Sequence, residues 1–253
     1  VSSTEGLLKL LDETEALGLD AMSAGVTLAW ATEALQKSLI SDKETAGLKL
    51  QWGDHETYLK ALRHITNQPN DFYRALAKGV EHASSVYGGA DFALAFGGNE
   101  MPGYHTGPSA YAGCMTGARH GHLDSAGYGL DQKFQALGGK PTADAIAEEL
   151  LSEESWRQVL SSLVICYFGR EIYTPDTVLK ALKLVGYIFT PDGLLKLGRE
   201  VLKAKHLFKT REGFDFGKLR IPRRILETAA PLGRLSESLI LEAIRSYSSK
   251  LGS

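Results

Sequence analysis

The chain has 253 residues, of which 43% are hydrophobic and 23% charged, and its formal net charge is −2. This composition is typical of globular proteins and excludes disordered, collagen-like and disulfide-scaffold chains. Lys and Arg number 28 against 30 Asp and Glu, so there is no basic excess to neutralise phosphates, and nucleic acid is not expected as a partner.

Helical periodicity dominates the first part of the chain. Ser2-Ser3-Thr4-Glu5 forms a capping box that predicts a helix start, and this helix is expected to end near Gly18. Apolar residues at helical spacing predict a second helix over residues 22–39. Two further helices are predicted, one capped by Asp54 and one beginning near Pro69 with Phe72, Leu76 and Val80 inward.

A glycine-dense stretch, residues 87–128, follows these helices and contains ten glycines. Such a stretch either lets the backbone approach a ligand closely or forms a series of tight turns. Glycine content alone favours the turns. One apolar run, residues 92–96, predicts a short strand.

Helical patterns resume at residue 142, with predicted helices over residues 142–151 and 152–168. Thr174-Pro175-Asp176 and Thr190-Pro191-Asp192 each supply an N-cap, a proline at the first helical position and an early acid. The helices that follow are expected to bury, among others, Val185 and Leu197, and a last helix covers residues 236–250. These elements predict an all-α, multihelical fold with two helical domains, residues 1–140 and 141–253.

Membrane insertion and export are not expected. The apolar run at residues 163–168 is far shorter than the roughly 20 residues that cross a bilayer, and no signal peptide is recognisable. The two cysteines, Cys114 and Cys166, cannot build a disulfide framework and indicate a reducing, cytoplasmic location. Cys166 lies in an apolar helical pattern and is expected to be an inert, buried thiol. Val1 in place of Met indicates a processed or truncated piece.

The densest group of potential metal ligands is His120-Gly121-His122-Leu123-Asp124. In an extended segment alternate side chains share a face, so His120, His122 and Asp124 could converge on zinc. The run is similar to the His-x-His-x-Asp-His signature of zinc hydrolases of the metallo-β-lactamase type, but Ser125 occupies the place of the last His. Surface or cap-forming histidines are the simpler interpretation.

Several motifs follow one another along nearly the whole chain. They include Leu17-Gly18-Leu19-Asp20-Ala21-Met22-Ser23-Ala24-Gly25, Trp52-Gly53-Asp54, Gly98-Asn99-Glu100-Met101-Pro102-Gly103-Tyr104, Arg119-His120-Gly121-His122-Leu123, Arg211-Glu212-Gly213 and Ile221-Pro222-Arg223. Together they resemble the tungsten-containing aldehyde:ferredoxin oxidoreductases. The resemblance implies the helical C-terminal half of that family, two domains around a tungsten held by two pterin dithiolenes (tungstopterin).

The resemblance also implies two pterin-binding loops of the form Asp-x-x-Gly-Leu-Asp/Cys. The first loop would bind the cofactor through Glu15, Gly18, Leu19 and Asp20. The second would use Ile165 and Cys166, whereas Ser161 and Val164 stand where the family has an acid and a glycine. These two changes remove a carboxylate acceptor and obstruct close backbone approach on that side.

Further site residues are implied in the same way. Cys166 matches the last ligand of a 4Fe-4S cluster, whose other three thiolates would come from another segment or chain. His122 matches a catalytic histidine beside the metal, able to donate a hydrogen bond or proton. A loop histidine bonded to a backbone carbonyl explains it equally well. Arg119 and Glu100 match positions near the pterins.

Three hypotheses for function follow from these observations. In the first, the chain is the C-terminal part or subunit of a tungstopterin aldehyde oxidoreductase, which oxidises a small aldehyde to a carboxylate and passes electrons through an iron–sulfur cluster to ferredoxin. In the second, it is a cofactor-free helical subunit or scaffold of the same fold. In the third, it is a zinc hydrolase that uses His120, His122 and Asp124.

Overall fold

The computed structural model describes residues 1–231 and 233–252. Within them the fold is all-α, as predicted, with twelve helices and two short antiparallel hairpins. The helices are α1 (Thr4–Ala16), α2 (Ala21–Gln36), α3 (His55–Asn67), α4 (Asp71–Leu76), α5 (Val80–Tyr87), α6 (Pro108–Thr116), α7 (Gly127–Ala136), α8 (Ala143–Ser162), α9 (Pro175–Leu184), α10 (Pro191–Arg211), α11 (Arg224–Glu227) and α12 (Glu237–Gly252). The hairpins pair β1 (Ala95–Phe96) with β2 (Asn99–Glu100) and β3 (Ala229–Ala230) with β4 (Gly233–Arg234). In this part of the chain no helix is both long enough and apolar enough to cross a membrane.

The chain folds into two compact units. Unit 1 contains Val1–Gly103 together with Arg220–Glu227, which we call the return segment. Unit 2 contains Tyr104–Leu219 and Thr228–Ser253. The domain boundary proposed from the sequence at residue 140 lies within unit 2, between α7 and α8, and stays a prediction.

Unit 1 has a core of aromatic side chains. Trp30 of α2 is buried against Phe72 of α4 and against Phe92, with ring-centroid distances of 6.4 and 6.5 Å. From α3, Tyr58 is buried and its hydroxyl lies 2.8 Å from the hydroxyl of Thr32. Large buried rings with satisfied polar atoms supply much of the apolar stabilisation of a unit of this size.

Two arginines bind the return segment to the rest of unit 1. Arg220 donates hydrogen bonds to the carbonyls of Ala90 and Ala93, at 2.5 and 3.0 Å. Arg224 pairs with Glu33 of α2 at 2.5 Å. Charged hydrogen bonds of this kind are stronger than neutral ones, so a short segment distant in sequence forms an integral part of this unit.

The predicted N-caps fix four of the twelve helix starts within the described residues. Asp54, Thr174 and Thr190 each accept a hydrogen bond from the backbone N–H three residues on, and so begin α3, α9 and α10. In α1 the cap is Ser3 rather than Ser2, and its hydroxyl accepts from Gly6 N at 3.0 Å. Capping therefore identified four helices from the sequence, one of them shifted by a residue.

Three sequence-based expectations about helices are wrong. The helix expected from Pro69 to Val80 is two helices. The first, α4, ends at Leu76, and Gly79, at φ +92°, is the N-cap of α5. Residues 142–168 form the single helix α8, which ends at Ser162. Val185 and Leu197, expected in the core, are exposed.

The glycine-dense stretch also differs from the expected series of turns, because it contains α6 and α7. Gly127, at the start of α7, lies against the backbone of Ser109 in α6, and a Cβ on Gly127 would stand 2.0 Å from the Ser109 carbonyl oxygen. Asp131 of α7 accepts hydrogen bonds from the backbone N–H groups of Ser109 and Ala110, both at 2.9 Å. Here glycine permits close helix packing.

Unit 2 is organised around α8, which packs against α10 and α12. The buried apolar side chains at these contacts include Ile146, Leu150, Leu202, Ile240 and Ile244. Gly198 of α10 faces the backbone of α8, and a Cβ there would lie 2.1 Å from the Ser155 carbonyl oxygen. Glycine at this position permits the close approach of α10 to α8, and the second candidate loop begins at the C-terminal end of α8.

Candidate functional site

Unit 1 contains a cavity of about 300 Å³ at the end of α1 and the start of α2. Four of the residues singled out in the sequence, Gly18, Leu19, Asp20 and Glu100, line it. Its other lining residues are Ser23, Ala24, Thr27, Ile65, Leu76, Ala77, Lys78, Gly79 and Gly98. Glu15 lies outside the lining, exposed in the last turn of α1.

Glu100 supplies a buried, ordered carboxylate to this cavity. One carboxylate oxygen accepts from Val80 N at 2.7 Å, at the N-terminus of α5, and the other from the Ser23 hydroxyl at 2.8 Å. Gly79 is needed for this approach, because a Cβ on it would lie 2.7 Å from Glu100 Oε1. The carboxylate is thus held by two donors and presented among small residues.

The first loop is a Schellman C-cap that leads directly into an N-cap. Leu19 N donates to the Thr14 carbonyl and Gly18 N to the Glu15 carbonyl, both at 3.0 Å, with Gly18 at φ +68°. Asp20 Oδ1 then accepts from Ser23 N at 2.7 Å and begins α2. Glycine is favoured at this position because the left-handed conformation strains residues that carry a Cβ.

The second loop has the same backbone arrangement at the end of α8. Ile165 N donates to the Leu160 carbonyl at 3.0 Å and Val164 N to the Ser161 carbonyl at 3.1 Å, which reproduces the two bonds of the first loop. Val164, at the glycine position, has φ +58° and is 92% exposed. The loop conformation is therefore kept, with a β-branched residue in a left-handed position that such residues rarely adopt.

Val164→Gly is expected to stabilise the protein by about 1 kcal/mol, because it removes the strain of a side chain in the left-handed region. Little packing is lost, since the side chain is almost fully exposed. Urea denaturation followed by circular dichroism measures the change. The matched control is Gly18→Val in the first loop, where no heavy atom lies within 4 Å of the added Cβ, and a loss of stability is expected. A destabilised Val164→Gly variant would contradict the strain argument.

Unit 2 has a smaller cavity, of about 160 Å³, beside the second loop. Arg119, Ser161 and Ile165 line it, together with Leu123, Asp124, Arg157, Gln158, Leu160 and Tyr167. Arg119 donates from Nε to both oxygens of Asp124 at 2.8 and 2.7 Å, and its backbone N–H also bonds to that carboxylate. Cys166 and His122 are not among the lining residues.

The zinc hypothesis fails on the geometry of its three ligands. His120 is buried with Nδ1 2.9 Å from the Cys114 carbonyl, and burial lowers the pKa of its imidazole to about 4. Asp124 is held by Arg119. Across residues 1–231 and 233–252, no three His, Cys, Asp or Glu side chains form a group that could hold a metal ion.

The two remaining predicted site residues lie on the second unit. His122 is partly buried, with its ring packed edge-on against Tyr104 at a centroid distance of 5.8 Å. Cys166 follows the Schellman loop and is exposed, so the expectation of a buried thiol in a helix is wrong. Cys114 is the buried cysteine, and burial raises the pKa of its thiol to about 12.

Sequence analysis missed a buried polar cluster beneath the His122 loop. Glu154 of α8 is fully buried and accepts a 2.5 Å hydrogen bond from the Tyr247 hydroxyl, which lies 3.4 Å from His206 Nε2. Lys209 Nζ donates to the Gly117 carbonyl at 2.9 Å. Burial raises the pKa of Glu154 to about 8 and lowers that of Lys209 to about 8. Charged residues on a helix usually face solvent, so the sequence carried no signal for this cluster.

Comparison with known proteins adds a family match. A family model described as aldehyde ferredoxin oxidoreductase, domains 2 and 3, matches residues 1–250. A tungsten-containing aldehyde ferredoxin oxidoreductase of Thermococcus kodakarensis is 26% identical over 247 residues, which cover 92% of this chain and 40% of the relative. The protein of the same description from Pyrococcus furiosus is 27% identical over 231 residues, covering 86% of this chain and 37% of the relative. The chain thus spans 40% or less of the length of these relatives.

A solved structure shares the fold. The active-site complex BamBC of benzoyl coenzyme A reductase, in complex with 1,5-dienoyl-CoA, superposes with a TM-score of 0.71 at 19% identity. The match covers 92% of this chain and 41% of that one. At this identity the likeness concerns the fold alone.

Proposed function

The chain belongs to the aldehyde ferredoxin oxidoreductase family, of which it carries domains 2 and 3, and we propose that it is the pterin-binding C-terminal part or subunit of a tungstopterin aldehyde oxidoreductase. The observation that carries the proposal is the repetition of one loop. Each unit ends a helix in the same Schellman arrangement beside a cavity lined by both polar and apolar residues. Both loops coincide with the segments that resemble the family's pterin loops.

The residues around the two cavities suit a pterin. In unit 1, Asp20 and the buried Glu100 offer carboxylate oxygens to N–H groups, and Gly18 keeps the approach to the backbone open. In unit 2, Arg119, Ser161 and Ile165 would hold the second pterin, next to the ion pair of Arg119 with Asp124. Hydrogen-bond acceptors in a small cavity that also has apolar walls favour an oriented, N–H-bearing ligand.

When bound, tungstopterin would supply the oxygen-transfer and two-electron chemistry of aldehyde oxidation. Each loop would bind one pterin within its own unit, and His122 of unit 2 would donate a hydrogen bond or a proton to the aldehyde oxygen. The packing of His122 against Tyr104 limits the orientations of the imidazole. A small aldehyde is the proposed substrate, and ferredoxin the proposed electron acceptor.

A four-iron cluster does not fit this chain's own residues. Such a cluster takes four thiolates, and the chain has two cysteines, of which Cys114 is buried with a raised thiol pKa. Only Cys166 is exposed and free to bind a metal. We therefore propose that three further cysteines come from another segment or a partner chain that covers Cys166.

The experiment that tests this function is metal analysis of the native material, with its intact mass. Tungsten together with about four irons, in a particle larger than this chain, is the expected result. Zinc alone near one equivalent, without tungsten or iron, would contradict the proposal. A lone, metal-free monomer or homo-oligomer would favour the cofactor-free scaffold, for which Ser161 and Val164 in place of the family's acid and glycine are the supporting observation.

Cys166→Ser is expected to abolish the visible absorbance of the iron–sulfur cluster in the assembled complex, since the hydroxyl is a poor substitute for a thiolate ligand. Helix content, measured by circular dichroism, should change little because the side chain is exposed. Cys114→Ser serves as the comparison and should leave the absorbance intact in any protein that folds. Full absorbance in Cys166→Ser would exclude Cys166 as a ligand.

A further inference from the structure

We infer that Arg157 is a positioning residue that couples the His122 loop to the Cys166 loop, so that the two candidate catalytic segments of unit 2 move as one body. The inference rests on the proposed function for its catalytic meaning. Its structural basis is one guanidinium group with partners on both loops.

On one side Arg157 binds the backbone of the His122 loop. Its Nη1 donates to the Leu123 carbonyl at 3.0 Å, to the Ser125 carbonyl, and more weakly to the His122 carbonyl at 3.4 Å. Three carbonyl groups within residues 122–125 thus accept from one cationic side chain. Because they are backbone groups, the contact fixes the path of the chain on either side of the His122 ring rather than the ring itself.

On the other side Arg157 binds Tyr167, the residue after Cys166. Its Nη2 donates to the Tyr167 hydroxyl, and its guanidinium carbon lies 4.4 Å from the centroid of the Tyr167 ring. Stacking and hydrogen bonding to the same side chain use the planar, forked shape of arginine, which lysine lacks. Arg157 itself is fixed within α8, next to the point where the second loop begins.

The chain offers a matched control in Arg170. Its guanidinium carbon lies 4.3 Å from the same Tyr167 ring, and it donates to the Tyr167 carbonyl at 3.2 Å. Arg170 also forms an ion pair with Glu171 at 3.8 Å, so these contacts of Arg170 lie within residues 167–171. A change at Arg170 therefore perturbs the Cys166 loop alone, whereas a change at Arg157 should perturb both.

The test is amide hydrogen exchange of the isolated chain, read by mass spectrometry on peptides covering residues 120–126 and 163–169. Arg157→Lys keeps the charge but cannot reach both loops at once, and exchange in both segments should accelerate roughly tenfold. Arg170→Gln should accelerate exchange in 163–169 only. Exchange in α9 is the internal reference and should stay unchanged in every variant.

Tyr167→Phe is a second test of the coupling that does not depend on whether Arg157→Lys folds correctly. It keeps the ring and removes only the hydroxyl that accepts from Arg157. Coupling predicts faster exchange in residues 120–126 for this variant too, although residue 167 is outside that loop. Unchanged exchange in 120–126 for both Arg157→Lys and Tyr167→Phe, or equal acceleration by Arg170→Gln, overturns the inference. These measurements need no cofactor, so a failure of the proposed function, seen as absence of tungsten, is distinguishable from a failure of the coupling.

Discussion

Gly127→Ala is expected to destabilise the protein by about 3 kcal/mol, one of the largest effects of any single methyl group in this chain. The added Cβ would stand 2.0 Å from the Ser109 carbonyl oxygen and 2.7 Å from Ala110 Cα, and both are backbone atoms that cannot rotate away. Relief requires α6 and α7 to separate, which weakens the hydrogen bonds from Ser109 and Ala110 to Asp131. Thermal or urea denaturation measures the loss.

Gly129→Ala on the same helix is the control. Gly129 is exposed and no heavy atom lies within 4 Å of the added Cβ, so the substitution should stabilise α7 by about 0.5 kcal/mol through helix propensity. The two substitutions add the same methyl group two residues apart and are expected to have opposite signs. Equal effects at the two positions would show that the close helix approach does not control stability.

Glu154→Gln should stabilise the protein at alkaline pH by a few kcal/mol and have little effect near pH 5. Burial raises the pKa of this carboxyl to about 8 from its ordinary value of 4.5, so folding favours the protonated form. The stability contributed by that proton is complete below pH 4.5 and is lost as the pH rises through about 8. A shift of this size corresponds to roughly 3 to 5 kcal/mol. Glutamine is neutral at every pH and can still accept from Tyr247.

The measurement is the free energy of unfolding from urea titrations at pH 5, 7 and 9. Glu149→Gln is the matched variant, because Glu149 lies on the same helix but forms a surface ion pair with Lys133. Its effect should be small at all three pH values. Parallel curves for the wild-type protein and Glu154→Gln between pH 5 and 9 would show that Glu154 ionises normally in the folded state.

His206 belongs to the same buried cluster as Glu154 and affects the stability of the protein at acidic pH. Burial lowers the pKa of its imidazole to about 4, so the unfolded chain binds the proton more readily than the folded one. Stability from the neutral ring is complete above pH 6.5 and is lost as the pH falls through about 4. Taken together, the titrations of Glu154 and His206 favour greatest stability between about pH 4.5 and 6.5, where the folded protein keeps Glu154 protonated and His206 neutral.

The sequence predicted features with local causes. N-caps at Asp54, Thr174 and Thr190 depend on residues three apart, and they are found where expected. The all-α class also followed from pattern and family resemblance. These features require no knowledge of what packs against them. Of the four residues predicted for the first loop, Gly18, Leu19 and Asp20 line the cavity and Glu15 does not, and their binding role stays a prediction.

Features with distant causes were not predicted. The glycines of residues 107–127 were interpreted as turns. The close approach of α6 to α7 depends on both helices, so the sequence of one helix alone does not indicate it. Glu154 and Arg157 resemble ordinary solvent-facing residues of a charged helix. Their burial follows from α10, α12 and the His122 loop, which pack on α8 from later or earlier parts of the chain.

The return segment completes unit 1 only late in translation at the ribosome. Unit 1 has 103 residues from the start of the chain, yet Arg220 and Arg224 bind to it only after more than a hundred further residues have been translated. A nascent chain therefore leaves the carbonyls of Ala90 and Ala93 and the carboxylate of Glu33 without these partners until unit 2 is largely made. A gene fragment that ends at residue 103 encodes an incomplete folding unit. A fragment designed to contain unit 1 therefore has to include residues 220–227.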